Sequence, residues 1–165
     1  MRTTDFASLL SKYLLSYLPC QRGVSDNTLA SYETAFSRLL LYCEEVCGLP
    51  VRKITIEALS PDLIEGYLNW LCEKQGNSAA TRNQRLSAIK AFFKFVRREN
   101  SRYIYSCERI LQIPMKKRQR QSYSIFHMRK SRKCWKNQSL LLKKVFEICL
   151  YSACSMIQGQ GYPNC

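Results

Sequence analysis

SAATRNQRLSAIKAFFKFVRRE, residues 78–99, is the stretch that decides the fold. Leu86, Ile89, Phe93 and Val96 recur at the three- and four-residue spacing of one helix face, and Ser78 stands where a side-chain oxygen can cap the first free backbone amides. The spacing predicts a helix from Ser78 to about Glu99. Asn83, Ser87, Lys90, Lys94 and Arg97 form a polar stripe beside the apolar one. Arg82 prolongs the apolar row by one turn toward the N-terminus, and Arg85 lies close to it. Two guanidiniums at the mouth of a core face either snorkel to water or reach a ligand.

The same periodicity recurs upstream. Phe6, Leu9, Leu10, Tyr13, Leu14, Tyr17 and Leu18 predict an amphipathic helix over residues 5–18, with Thr3 or Thr4 as N-cap and Pro19 and Gly23 closing it. Ser25 opens a second helix with Leu29, Tyr32, Phe36, Leu39, Cys43 and Val46 on one face, interrupted by Gly48 and Pro50. Leu49 to Leu59 reads as a connector. Ser60-Pro61-Asp62 is then a strong helix start, combining an N-cap, a proline at the first helical position and an acid in the positive first turn. Leu63, Ile64, Tyr67, Leu68 and Leu71 give that helix its apolar face, and Gly76 ends it. A shorter helix is expected around Glu108 to Ile113, stopped before Pro114. Strand signals are nearly absent, so the fold class is all-α, a four-helix bundle with a short extra helix and a poorly structured basic tail.

Composition points to the partner. The 165 residues carry 26 Lys and Arg against 12 Asp and Glu, a net charge of +14, and such an excess favours a polyanion, nucleic acid first. No apolar run approaches the ~18 residues needed to span a bilayer, and the start lacks a signal-peptide core, so no membrane partner and a cytoplasmic location are expected. The nine cysteines include no C-x-x-C pair. They read as reduced core or surface thiols, with no metal and no cofactor expected. The bland account of the cationic helix is a solvated face, but Lys116-Lys117-Arg118 supplies a second cluster just past the bundle, as a segment tracking phosphates requires. Arginines at a helix start contact guanine edges or phosphates equally well.

Three runs carry a resemblance: Asn27-Thr28-Leu29-Ala30-Ser31-Tyr32; Ile54-Thr55-Ile56 leading to Ser60-Pro61-Asp62-Leu63-Ile64-Glu65-Gly66-Tyr67-Leu68; and Ala79 to Phe93. In order and spacing, residues 3–118 resemble the N-terminal core-binding domain of the tyrosine recombinases, the phage integrase family. The resemblance implies a SAM-like domain that forms half of a clamp around double-stranded DNA at a recombination site, with its second and fourth helices facing the duplex. Carried over by position, the DNA-facing candidates are Asn27, Thr28, Thr81, Arg82, Arg85 and Lys90, with Lys116, Lys117 and Arg118 in the inter-domain linker. For Thr28 and Thr81 the competing role is helix-start capping. Full-length recombinase protomers are implied as further partners.

The family's chemistry lies in a second domain, with an arginine in T-G-x-R-x-x-E-L, an H-x-x-R box and a nucleophilic tyrosine that links covalently to phosphate. None of these motifs occurs here, and the single histidine begins His127-Met128-Arg129-Lys130. The genetic code suggests why. If each codon takes the third base of one residue and the first two of the next, Met156-Ile157 must give Asp and Asn164-Cys165 must give Leu. The last residues together then permit L-Y-D-T-G-A-R-[LIV]-[SP]-E-L, the family's first catalytic-arginine motif. A shift of frame between about Pro114 and Tyr123 also accounts for residues 121–165 holding seven Lys and Arg, one acid and four cysteines. The expected organisation is a core-binding domain at 3–113, a basic linker at 114–122 and an out-of-frame remnant of the catalytic domain at 123–165. Such a chain binds DNA and is not an enzyme. Two alternatives remain: an active integrase if the frame is restored, and a standalone helical DNA-binding regulator.

Overall fold

Five α-helices, joined by two short 3-10 turns and one π-helical segment, make up the part of the chain that the computed structural model describes, residues 4–117. No strand occurs among the described residues, as the periodicity predicted. Helix α1 spans Asp5–Lys12, α2 Asp26–Glu45, α3 Pro61–Glu73, α4 Ala79–Glu99 and α5 Ile104–Leu111. The capping residues fall where the sequence puts them. Thr4, Ser60 and Ser78 accept hydrogen bonds from the amides of Ala7, Leu63 and Thr81, at 3.3, 3.2 and 3.2 Å, satisfying donors that have no partner inside the helix. Gly76, at φ +61°, supplies the left-handed residue that lets the chain leave α3.

The first helix does not stop at Pro19. Beyond Lys12 the chain widens into a π-helix over Tyr13–Gln21 with Pro19 inside it, and it closes when the Arg22 amide donates to the Tyr17 carbonyl at 3.1 Å. A proline has no amide to donate and its ring crowds the carbonyl one turn back, so a wider turn accommodates it without ending the helix. The segment thereby keeps Tyr13, Leu14 and Leu18 buried.

The core extends further than one stripe per helix. Phe92 is fully buried and meets Phe6, Tyr13, Phe36 and Phe93 edge-on, with ring centroids 5.3 to 5.8 Å apart, the geometry that aromatic quadrupoles favour. Ile54, Ile56 and Leu59 of the connector are also fully buried, so that segment is a wall of the core. Val46, predicted on the buried face of α2, is about half exposed, because it lies at the C-cap where the chain turns away. The final helix starts earlier than expected: Asn100 accepts from the Arg102 amide at 3.1 Å, nucleating a 3-10 turn over Ser101–Tyr103 that runs directly into α5.

Cys43 and Cys107 are buried and Cys20, Cys47 and Cys72 lie toward the surface, all unpaired. No cluster of metal-ligating side chains exists among the described residues. Among these residues, too, no helix is long and apolar enough to cross a membrane. The out-of-frame remnant and poorly structured tail expected at 123–165 lie outside the described residues, as do residues 118–122 of the expected linker.

Candidate nucleic-acid interface

Helices α2 and α4 lie side by side and run in the same direction. Ser31 pairs with Gln84 and Arg85 near the two starts, through Gln84 Nε2 to Ser31 Oγ at 2.9 Å and Arg85 NH1 to the Ser31 carbonyl at 3.1 Å. Further along, Phe36 meets Phe92. Both N-termini therefore sit at one end of the bundle, where unpaired backbone amides and helix dipoles favour negative charge.

The two starts are also built alike. Ser25-Asp26-Asn27-Thr28 and Ser78-Ala79-Ala80-Thr81 each bring a serine hydroxyl onto a threonine hydroxyl three residues later, at 3.0 and 3.2 Å. At the start of α4 the cap is Ser78, which accepts the Thr81 amide, and at the start of α2 no side chain caps an amide. The Thr28 and Thr81 hydroxyls lie at the end of the bundle where an anion is favoured. Asn27 occupies the first turn of α2 beside them, and Asp26 provides the acid there.

Arg82 and Arg85 take different roles. Arg82 is nine-tenths buried, and NH1 of its guanidinium reaches Asn83 Oδ1 at 3.4 Å. Arg85 is tied to the α2 backbone through Ser31 and is half-buried. Burial pulls its pKa below the usual arginine value, Tyr67 opposing that shift and Arg38 adding to it. Arg85 therefore clips α4 to α2.

The polar stripe of α4 guides the chain that returns along it. Arg97 faces Glu108 of α5 at 3.9 Å, Lys90 Nζ donates to the Ile113 carbonyl at 2.6 Å, and Asn83 forms a reciprocal pair with the Lys116 backbone. In that pair Asn83 Nδ2 donates to the Lys116 carbonyl at 2.8 Å, and the Lys116 amide donates to Asn83 Oδ1 at 3.0 Å. Positions 97, 90 and 83 descend α4 while 108, 113 and 116 ascend in number, so α5 and the segment after it run antiparallel to α4. Seven helical residues span about 10 Å, and three extended residues, 113 to 116, span about 10 Å as well. The two registers match.

Periodicity finds the stripe but does not show that three of its five members hold the protein's own chain. Lys90 is one of them. Burial, with Lys94 beside it, pulls its ammonium below the usual lysine pKa. The outcome is that Lys116 and Lys117, both exposed, are carried to the end of α4 where Thr81 and Arg82 stand. Arg118 lies outside the described residues.

Charge is sorted along α4. All four ion pairs among the described residues, Lys12–Glu99, Arg97–Glu108, Arg98–Glu99 and Arg102–Glu57, involve the C-terminal end of that helix or the turn after it. Arg82, Arg85, Lys90, Lys116 and Lys117 have no carboxylate within ion-pair distance among the described residues. The cations of the N-terminal end are thus free of direct ion pairs among the described residues, with Asp26 the acid in the neighbouring first turn of α2.

A family model described as the phage integrase N-terminal SAM-like domain matches residues 12–100, from the end of α1 to just past α4. The chain is 34% identical over 113 residues to the integrase/recombinase y4rC of Sinorhizobium fredii, covering 68% of this chain and 34% of that protein. To y4rD of the same organism it is 36% identical over 111 residues, covering 67% and 40%. It is 34% identical over 83 residues to the tyrosine recombinase XerD of Oceanobacillus iheyensis, covering 50% and 26%. The chain thus spans between a third and two fifths of the length of the first two relatives. No solved structure matches it significantly.

Proposed function

The chain belongs to the phage integrase family through its N-terminal SAM-like domain, and from that premise we propose that it binds double-stranded DNA of a recombination site without cutting or joining it. The observation that carries this reading is the sorting of charge along α4. Cations paired with acids at one end contribute only to the fold, whereas the bare cations of Arg82, Lys116 and Lys117 stand beside two helix N-termini, where phosphates are favoured.

In this reading Asn27, Thr28, Thr81, Arg82, Lys116, Lys117 and Arg118 face the duplex, while Arg85 and Lys90 hold the elements that present them. Residues 3–113 form the core-binding unit, 114–122 the linker and 123–165 the out-of-frame remnant. Full-length recombinase protomers on the same site are the protein partners, and the cytoplasm is the place of action. What supports the absence of strand cleavage is that neither T-G-x-R-x-x-E-L nor H-x-x-R occurs in these 165 residues. The codon pattern at Ser155 to Cys165 favours one second reading: the same gene, read in the restored frame, encodes an active integrase.

Two measurements on the full chain test the proposal. Affinity for a DNA duplex should fall by orders of magnitude between about 50 and 200 mM salt, because each neutralised phosphate releases counterions. Binding that is absent at low salt, or indifferent to salt, defeats the DNA reading. A nicked suicide substrate should yield no covalent adduct, and a phosphotyrosyl complex would overturn the non-catalytic half.

A further inference from the structure

We propose that Asn83 is a positioning residue for DNA binding: its carboxamide latches the backbone of Lys116 and so fixes where Lys116 and Lys117 present their charge. The inference rests on the DNA-binding reading above and adds a device to it. A primary amide offers one donor and one acceptor in the same plane, as a peptide group does, and Asn83 uses both on the amide and carbonyl of one residue. This is the pairing that a neighbouring strand would supply. Asn83 Oδ1 also receives Arg82 NH1 at 3.4 Å, so a single side chain joins the guanidinium at the start of α4 to the basic segment.

The latch is the last of three anchors along α4. Arg97–Glu108 and Lys90–Ile113 set the path of the returning chain, but both lie upstream of Met115 and leave the following residues to swing. Asn83 removes that freedom at the residue that carries the first linker charge. Holding the backbone while leaving the lysine side chains exposed lowers the ordering cost of placing two ammonium groups on phosphates. It also means that the Asn83 amide is already committed and does not read a base edge.

The test uses the full chain and a mixed-sequence DNA duplex, with Asn83→Ala, the double variant Lys116→Ala/Lys117→Ala, and the triple variant. Without DNA, hydrogen exchange at the Lys116 amide should quicken roughly tenfold in Asn83→Ala, as expected when two hydrogen bonds are removed, while exchange within α2 and α3 stays unchanged. With DNA, Asn83→Ala should lower the slope of log affinity against log salt by about 0.9 for each phosphate that is no longer neutralised. The double variant should show the same decrease, and the triple variant no further one. Unchanged exchange at Lys116 overturns the latch. Faster exchange with a wild-type salt slope, while the double variant shows a lower slope, overturns positioning but leaves DNA binding standing. If no variant alters the slope yet exchange still quickens, the DNA reading itself has failed, and the proposal falls with it.

Discussion

The hydroxyl of Tyr103 donates to Oδ2 of Asp5 at 2.6 Å, joining the first residue of α1 to the turn that starts α5. The other oxygen of Asp5 accepts the Phe6 amide at 2.8 Å and the Ile56 amide at 3.4 Å, so one carboxylate gathers the helix start, the connector and the final turn. Hydrogen bonds to a charged group contribute about 1.5 to 3 kcal/mol. Tyr103→Phe should therefore lower stability by about 1.5 kcal/mol, read as a shifted urea midpoint with an unchanged m-value.

Stability should decline in alkali. The Asp5 bond, then burial, raises the Tyr103 pKa, and burial above all raises those of Tyr13 and Tyr67. Burial also pushes the Cys43 thiol up to about 12 and the Cys107 thiol up to about 11. A folded-state pKa above the unfolded value means that the native form keeps its proton longer. The contribution is complete below the unfolded pKa, about 8.5 for cysteine and 10 for tyrosine, and is lost as pH rises through the folded value. The melting temperature should fall from about pH 8.5 upward, and Cys43→Ala/Cys107→Ala should delay the onset to about pH 10. A profile that stays flat as far as the folded thiol values would contradict the burial of these groups.

Helix starts are legible in the sequence because capping is local: Ser60-Pro61-Asp62 and Ser78 announce themselves within four residues. The Ser31–Arg85 clip and the Asn83–Lys116 latch are not, because each depends on the path that the chain takes between distant positions. The same holds within α4, where periodicity picks out the row through Leu86 and Phe93 but misses Phe92. A helical stripe gives the direction of burial, and its width is set by how many neighbours pack against it. Here α1, α2 and the π segment all reach Phe92. For the site, the pattern names the cations of α4 and the resemblance adds Asn27 and the threonines, but neither reveals that the Lys90 ammonium donates to the Ile113 carbonyl, a bond that depends on the path of the returning chain.

Phe92 therefore provides a sharp test of the core. Phe92→Ala should cost about 3 to 5 kcal/mol, and Leu86→Ala about 2 to 5 kcal/mol, as buried large-to-small changes. Val46→Ala, at a half-exposed C-cap, should stay within about 0.5 kcal/mol. Equal effects at Phe92 and Val46 in denaturant melts would mean that the core is misplaced.

Gly66 records the close approach of α2 and α3. A Cβ there would lie 2.6 Å from the Tyr42 hydroxyl oxygen, and the next atom, Tyr42 Cζ, 3.7 Å away. Tyr42 is wedged against Tyr67 and Trp70, at 5.8 and 5.6 Å between centroids, and cannot swing aside freely. Overpacking of about 1 to 3 kcal/mol should outweigh the gain of about 1 kcal/mol from replacing a helical glycine. Gly66→Ala should then destabilise by about 1 kcal/mol, the difference between those two effects. In a Tyr42→Phe background the clash is gone and the same substitution should stabilise. A Gly66→Ala effect of the same sign in both backgrounds would show that the hydroxyl is not the obstacle.

The two arginines at the start of α4 should separate in experiment, although the sequence presents them as equals. Arg85 is half-buried against Tyr67 and bonded to the Ser31 carbonyl, so Arg85→Ala removes packing of its stem and a tie between α4 and α2, costing about 1 to 2 kcal/mol of stability. Its charge is turned inward, and the salt slope of DNA binding should hold near wild type. Arg82 makes one long bond to Asn83 and has no acidic partner among the described residues. Arg82→Ala removes a nine-tenths buried stem and should cost about 1 to 2 kcal/mol as well, but it should also lower the salt slope by about 0.9, one neutralised phosphate fewer. Urea melts and salt titrations of the two variants check this together. A salt slope lowered by Arg85→Ala and unmoved by Arg82→Ala would show that the phosphate contact belongs to Arg85 and not to Arg82.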